Sequence, residues 1–176
     1  ALEPLLKDHS GIALAAINSS QKCVLAGSSE AIAAFQLALD EMGWTSKAVR
    51  TSHAFHSPMM DGILEDFRAV FTNIRFQPMQ IPLLSNLYGR QLTQTEAAQA
   101  EYWVQHLRQP VRFAEGIEHM LTDKPALFIE VGPGKSLTSF VASHQKRTRM
   151  HQMVNLLRHP KEGSADQQQL LKGMGK

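Results

Sequence analysis

The chain has 176 residues, of which 43% are hydrophobic and 19% are charged, and its formal net charge is +2. This length suits one ordinary domain or two small ones, and the composition is that of a soluble folded protein, not a disordered one. The charge is too mild to predict nucleic-acid binding, no apolar run is long enough for a membrane span, and a single cysteine, Cys23, excludes an internal disulfide.

The first quarter of the chain predicts two strands, a helix and a third strand. Residues 12–17 and 22–26 are short apolar runs separated by turn residues. Apolar residues spaced by three and four predict a helix over 29–42, which Gly43 ends. Residues 47–51 alternate in character and predict another strand. This order suits a small antiparallel sheet with one helix on its face.

Beyond this first quarter, predicted helices and strands alternate. In chain order they are an amphipathic helix over 58–71, a strand over 81–84, helices over 102–107 and from Pro110 to Leu121, a strand over 126–131, a helix carrying Leu137 and Val141, and a strand over 154–157. From Lys161 onward the composition predicts a linker that ends in a weak helix. The alternation predicts an α/β domain with a largely parallel sheet.

The segment His53-Ala54-Phe55-His56-Ser57-Pro58 carries the strongest chemical signal. A histidine can serve as a general base because its unperturbed pKa lies near neutrality. The 176 residues contain no Gly-x-Ser-x-Gly elbow, so a nucleophile that pairs with His56 is not among them. The two histidines do not predict a zinc site, because no third ligand is near, and the segment 132–134 lacks the ending that a phosphate-binding loop requires.

Four segments, in the same order, resemble the acyltransferase domains of type I modular polyketide synthases, within the malonyl-CoA:acyl carrier protein transacylase superfamily. They are 15–27, 52–61, 102–113 and 128–137. The resemblance implies an α/β fold, namely the C-terminal part of an α/β-hydrolase-like acyltransferase core with a partial ferredoxin-like small subdomain. It assigns the small subdomain to 1–53, the core part to 54–158 and a post-acyltransferase linker to 159–176.

The resemblance also implies roles for individual residues. His56 would be the base of a Ser–His pair that moves a malonyl unit from malonyl-CoA, through an acyl-serine, to the phosphopantetheine thiol of an acyl carrier protein. The main-chain carbonyl of His106 would orient the His56 ring. His53 and Phe55 occupy the positions associated with choosing malonyl over methylmalonyl. Asn18 would lie in a loop that faces the acyl pocket, although an asparagine in a turn needs no function.

The partners implied are malonyl-CoA, an acyl carrier protein, the ketosynthase and linker regions of the same synthase, and an N-terminal half of the domain that supplies the serine. No metal, permanently bound cofactor, nucleic acid or membrane is expected, and the location is expected to be cytoplasmic. We expect the chain alone to be inactive. Two alternatives stay open: a free-standing malonyl-CoA:acyl carrier protein transacylase of fatty acid synthesis, and a non-catalytic adaptor derived from an acyltransferase.

Overall fold

The structure is a computed structural model that describes residues 2–49 and 51–175. It divides into two compact units, Ala1–Gly116 and Ile117–Lys176, and each is described by itself. The domain boundaries predicted after residues 53 and 158 differ from this division and stay predictions. Within the described ranges, no helix is both long and apolar enough to cross a membrane.

The first unit begins with a hairpin between two helices: α1 (Leu2–Asp8), β1 (Ile12–Ser19), β2 (Lys22–Gly27) and α2 (Ser29–Glu41). The two strands pair antiparallel, and α2 buries Phe35 and Leu39. Ser28 is the N-cap of α2, and its hydroxyl accepts a hydrogen bond of 3.1 Å from the N–H of Ala31. The predicted hairpin and its helix are therefore confirmed.

Short elements follow in the rest of this unit. They are a 3-10 helix over Pro58–Ile63, α3 (Leu64–Val70), a 3-10 helix over Phe71–Asn73, β3 (Leu84–Ser85), β4 (Arg90–Gln91), α4 (Gln94–Ala97), α5 (Ala100–Arg108) and the start of α6 (Phe113–Met120). Leu92, Ala97 and Tyr102 form a buried cluster between them. β3 and β4 pair antiparallel.

Four predictions about this unit are wrong or only partly right. The strand predicted over 47–51 is absent from 47–49 and from Thr51, while Arg50 lies outside the described residues. Val49 is largely exposed, and an alternating pattern makes no strand without a neighbour to pair with. The strand predicted over 81–84 is reduced to β3, and the helix over 58–71 is divided into three short ones. Pro110 precedes α6 and does not belong to its first turn.

Strand β1 also meets the segment that follows α5. Ala16 and Val111 form a parallel bridge, in which the N–H of Val111 donates to the carbonyl of Ala15 and the N–H of Ile17 donates to the carbonyl of Val111, both at 2.8 Å. The hairpin is therefore fixed to the chain a few residues beyond the end of α5. This connection matters for the candidate site, which is built on that helix end.

The second unit contains β5 (Ala126–Pro133), α7 (Ser136–Ala142), β6 (His151–Leu157) and α8 (Asp166–Met174). β5 and β6 pair in parallel, as predicted, and the helix expected near the end of the chain is present. Among the described residues the strands form three two-stranded sheets, and this is the parallel one. The prediction of a largely parallel sheet is thus confirmed for β5 and β6 alone.

A buried carboxylate connects β5 to α7 and β6. Glu130 is 8% exposed and accepts hydrogen bonds from the Leu137 and Thr138 N–H groups, the Thr138 hydroxyl and the Asn155 amide, over 2.8–3.2 Å. Burial by itself raises the pKa of Glu130. The hydrogen bonds, from Thr138 above all, outweigh burial, so the pKa lies below its ordinary value.

We expect Glu130→Gln to lower the free energy of unfolding by about 1–3 kcal/mol at neutral pH, because a neutral amide cannot satisfy the same donors. The folded-state pKa of Glu130 is depressed, so its stabilising effect is present above the unfolded pKa of ~4.5 and is lost as the pH falls through the folded pKa. The free energies of unfolding of the two proteins, measured by urea denaturation, should therefore become equal in acid. The control is Glu118→Gln, an exposed carboxylate paired with Lys146, and an equal loss there would contradict the prediction.

Candidate active site

The motif predicted to carry the base forms a tight turn before the 3-10 helix. His56 has φ +59°, which makes it the one non-glycine residue with positive φ among those described. Ser57 is buried, and its hydroxyl donates to the carbonyl of Ala54 at 2.6 Å and accepts from the N–H of Met59 at 3.2 Å. The left-handed backbone at His56 is unfavourable for a side chain of this size, so other contacts must hold it.

Those contacts come from the C-terminal end of α5. The N–H of His56 donates to the carbonyl of Leu107 at 3.2 Å, and its ring Nδ1 lies 3.0 Å from the carbonyl oxygen of Gln109. A carbonyl only accepts, so Nδ1 carries the proton and Nε2 is the basic nitrogen. In the part of the chain that the structure describes, Nε2 has no hydrogen-bond partner. The ring is therefore oriented as a general base requires.

The predicted acceptor was the carbonyl of His106, and that assignment is wrong by three residues. Gln109 is the C-cap of α5 and has an extended backbone, with ψ 159°, which turns its carbonyl away from the helix. The sequence holds a signal for this, because Gln109 precedes Pro110 and a residue before proline favours the extended region.

The side chain of His106 nevertheless lies beside the site. Its ring is edge-on to the ring of His56, with centroids 6.1 Å apart, and it stacks on Tyr102. The hydroxyl of Tyr102 donates to the buried Ser85 hydroxyl at 3.0 Å, which fixes this column of side chains. Burial, and then the charge on His56, hold the pKa of His106 below its ordinary value.

The remaining predicted site residues occupy two places. His53 and Phe55 are both exposed, their rings contact each other at 5.9 Å, and Phe55 keeps 43% of its surface accessible. Asn18 lies inside β1, not in the turn where the sequence placed it, because the strand continues to Ser19. It follows Ile17, which bonds to Val111 near the end of α5.

A cavity of about 290 Å³ opens beside the turn. It is lined by Gly11, Ile12, Gly27, Ser28, Ser57, Pro58 and Met59. Gly27 is required at its edge, since a Cβ there would lie 2.4 Å from the carbonyl oxygen of Gly11. His56 is not among the lining residues, although its neighbour Ser57 is. In the described ranges, no group of three His, Cys, Asp or Glu residues is placed to hold a metal ion.

The proximity of the two histidines gives a prediction. We expect His56→Gln to raise the pKa of His106 towards its ordinary value, without reaching it, because the variant removes a neighbouring positive charge and leaves the burial. Imidazole titration by NMR measures this. The matched control is His53→Gln, whose ring lies against Phe55. An unchanged or lower pKa of His106 in the His56 variant would contradict the assigned cause.

Comparison with known proteins identifies the family to which the chain is similar. A family model described as the acyl transferase domain matches residues 1–175. The chain is 34% identical over 164 residues to one component of the phenolphthiocerol/phthiocerol polyketide synthase of Mycobacterium tuberculosis, a match that covers 93% of this chain and 11% of that protein. It is 38% identical over 137 residues to the spectinabilin polyketide synthase system protein NorB of Streptomyces orinoci, covering 77% and 6%.

Solved structures that resemble this chain are acyltransferases as well. The acyl transferase domain of SpnD, in complex with 2-(pent-4-yn-1-yl)malonyl, superposes with a TM-score of 0.92 at 32% identity, over 99% of this chain and 42% of that one. The acyltransferase domain from the second module of the salinomycin polyketide synthase gives 0.86 at 31% identity, over 98% and 40%. The malonyl CoA-acyl carrier protein transacylase of Clostridium perfringens, 22% identical with a TM-score of 0.79, shares the fold.

The chain spans less than half of these two acyltransferase domain structures and a small part of the curated synthases. Its four matching segments, the parallel β5–β6 pair and the oriented His56 all lie inside the range that the family model covers. The chain belongs to the acyl transferase domain family.

Proposed function

We propose that this chain is the C-terminal part of an acyltransferase that moves a malonyl unit from CoA to the phosphopantetheine thiol of an acyl carrier protein during polyketide synthesis. The observation that carries the proposal is the His56 ring, whose Nδ1 is held by the Gln109 carbonyl. The relatives support the setting, since two are polyketide synthase proteins and two are acyltransferase domains, one of them from the salinomycin polyketide synthase.

The reaction divides into two transfers through one serine. Nε2 of His56 takes the serine hydroxyl proton while the oxygen attacks the malonyl thioester carbonyl, and the C–S bond then breaks. The imidazolium returns the proton to the departing CoA sulfur, which leaves a malonyl-serine ester. The carrier thiol then gives its proton to His56 and attacks the ester, the ester C–O bond breaks, and the imidazolium returns the proton to the serine oxygen. No redox change or added cofactor enters this balance.

The serine is proposed to lie in residues beyond this sequence, because none of the 176 stands in a Gly-x-Ser-x-Gly elbow. The chain alone is accordingly proposed to be inactive. The wider setting is proposed from the resemblance to polyketide synthases. It is a cytoplasmic synthase in which the ketosynthase and linker regions flank this domain, and in which residues 159–176 form the linker that follows it.

Acyl selection is proposed for His53 and Phe55, with Asn18 as a further residue at the substrate. Phe55 is bulky and two positions from His53, and their rings touch next to the base. A side chain of this size would occupy the space that a C2 methyl needs. Excluding one methyl is worth only about 1–3 kcal/mol, so the two residues bias the choice of extender unit without dictating it.

His56→Ala should lower acyl transfer by about 10³-fold or more in the complete acyltransferase polypeptide, because the serine then has no base. Transfer of radiolabelled malonyl from CoA to the carrier protein measures the effect. The control is His119→Gln, an exposed histidine of α6, which should retain full activity. A loss below tenfold in the His56 variant would remove this residue from the mechanism.

The complete domain should load malonyl-CoA in preference to methylmalonyl-CoA. Phe55→Ser combined with His53→Tyr should narrow that preference by up to about 200-fold without inverting it, because only one methyl-sized space is opened. Competitive loading with both thioesters, with mass spectrometry of the acyl-enzyme, gives the ratio. Equal or greater methylmalonyl loading by the unmutated domain would overturn the specificity and leave the acyltransferase proposal intact.

A further inference from the structure

The two hydrogen bonds that hold His56 end on carbonyls that stand on either side of one residue, Arg108. The N–H of His56 donates to Leu107 and the ring to Gln109. The backbone at Arg108 therefore sets the spacing of both acceptors. Because the φ of His56 is +59°, the turn relies on these bonds to stay in place.

The side chain of Arg108 returns to the same segment that carries His56. Its Nε donates to a carboxylate oxygen of Asp61 at 2.5 Å, and Asp61 lies in the 3-10 helix that begins two residues after His56. The turn and the end of α5 are thus joined twice, by the backbone and ring of His56 and by this ion pair. Arg108 is the more buried partner, with 24% of its side chain exposed against 56% for Asp61.

A second ion pair joins the following helix, α3, to the other end of α5. Arg68 of α3 donates to Glu101, in the first turn of α5, at 2.9 and 3.1 Å. It resembles the first pair in chemistry and exposure, but it lies two helical turns from the carbonyls that hold His56. Glu101 also accepts from the Gln105 amide at 2.7 Å, and the Gln109 amide donates to Gln105 at 3.3 Å, so Glu101 is linked to the helix end. Arg68 stands outside this chain of hydrogen bonds, so a change at Arg68 tests the docking of α5 without altering its C-terminal end.

We propose that Asp61 and Arg108 are positioning residues for His56, a role that rests on the proposed function of His56 as the base. Their ion pair fixes the end of α5, so that the Leu107 carbonyl holds the His56 N–H while the Gln109 carbonyl keeps the ring proton on Nδ1 and leaves Nε2 free. An exposed pair stabilises one arrangement over another only modestly, so the effect is expected to be two- to about fivefold.

The test uses the complete acyltransferase polypeptide labelled with ¹⁵N-histidine. In Asp61→Asn, the Nδ1 proton of His56 should exchange with water about two- to fivefold faster, and kcat for malonyl transfer should fall by a similar factor with KM unchanged. Asp61→Glu, which keeps the carboxylate, should restore both values. The matched control, Arg68→Gln, removes the other ion pair, leaves the hydrogen bond between Gln105 and Glu101 in place, and should leave both values unchanged.

Arg108→Gln removes the same pair from the other side and must agree with Asp61→Asn in the exchange rate of the His56 proton, which keeps the test valid where one variant does not fold. Unchanged exchange in both variants, or an equal change in Arg68→Gln, would overturn the positioning role. The proposed function fails separately: it fails if His56→Ala retains transfer, whereas the exchange rate of the His56 proton reports on positioning whether or not transfer occurs.

Discussion

The site depends on one constraint, which is that His56 adopts a left-handed backbone and is held by the end of a neighbouring helix. A histidine at φ +59° sacrifices backbone stability, of order 1–3 kcal/mol, for a fixed ring direction. The last carbonyls of a helix have no partners within it, and those of α5 accept from the backbone and the ring of His56. Breaking the helix at Gln109-Pro110 makes the second carbonyl available, and the Ala16–Val111 bridge fixes the chain directly beyond it.

The second unit uses the opposite end of a helix in a comparable way. Glu130 accepts from the first N–H groups of α7, where the helix lacks internal acceptors. Thr138 and Asn155 complete the cluster, so the carboxylate joins the strand, the helix and the neighbouring strand. A negative group at a helix N-terminus and a hydrogen-bond donor at a helix C-terminus both match the helix dipole. Backbone groups that have no partner inside their own helix therefore organise the His56 turn in the first unit and the Glu130 cluster in the second.

Much of this fold could be predicted from side-chain patterns, whereas features that depend on the backbone or on distant pairing could not. The spacing of Phe35 and Leu39 predicted α2, and the apolar run at 126–131 predicted a strand that proved to be parallel. The strand predicted from the alternation at 47–51 is absent from 47–49 and from Thr51. A strand also requires a neighbouring strand to pair with, and sequence spacing does not show one. The orienting carbonyl was assigned to His106, since any residue type can present a carbonyl, and only the proline after Gln109 indicates the true one. The pairing of Asp61 with Arg108 spans 47 positions and leaves no local pattern.

The use of a carbonyl in place of a carboxylate beside the base has a consequence for charge. In the proposed reaction His56 becomes an imidazolium for part of each transfer, and a carboxylate partner would neutralise it. Gln109 supplies only a dipole, but it stands at the C-terminal end of α5, where the summed peptide dipoles present partial negative charge. The positive charge of Arg108 would oppose this field if it were unpaired. Asp61 lies against that guanidinium, so the ion pair holds the helix end and also removes a repulsion from the place where the imidazolium must form.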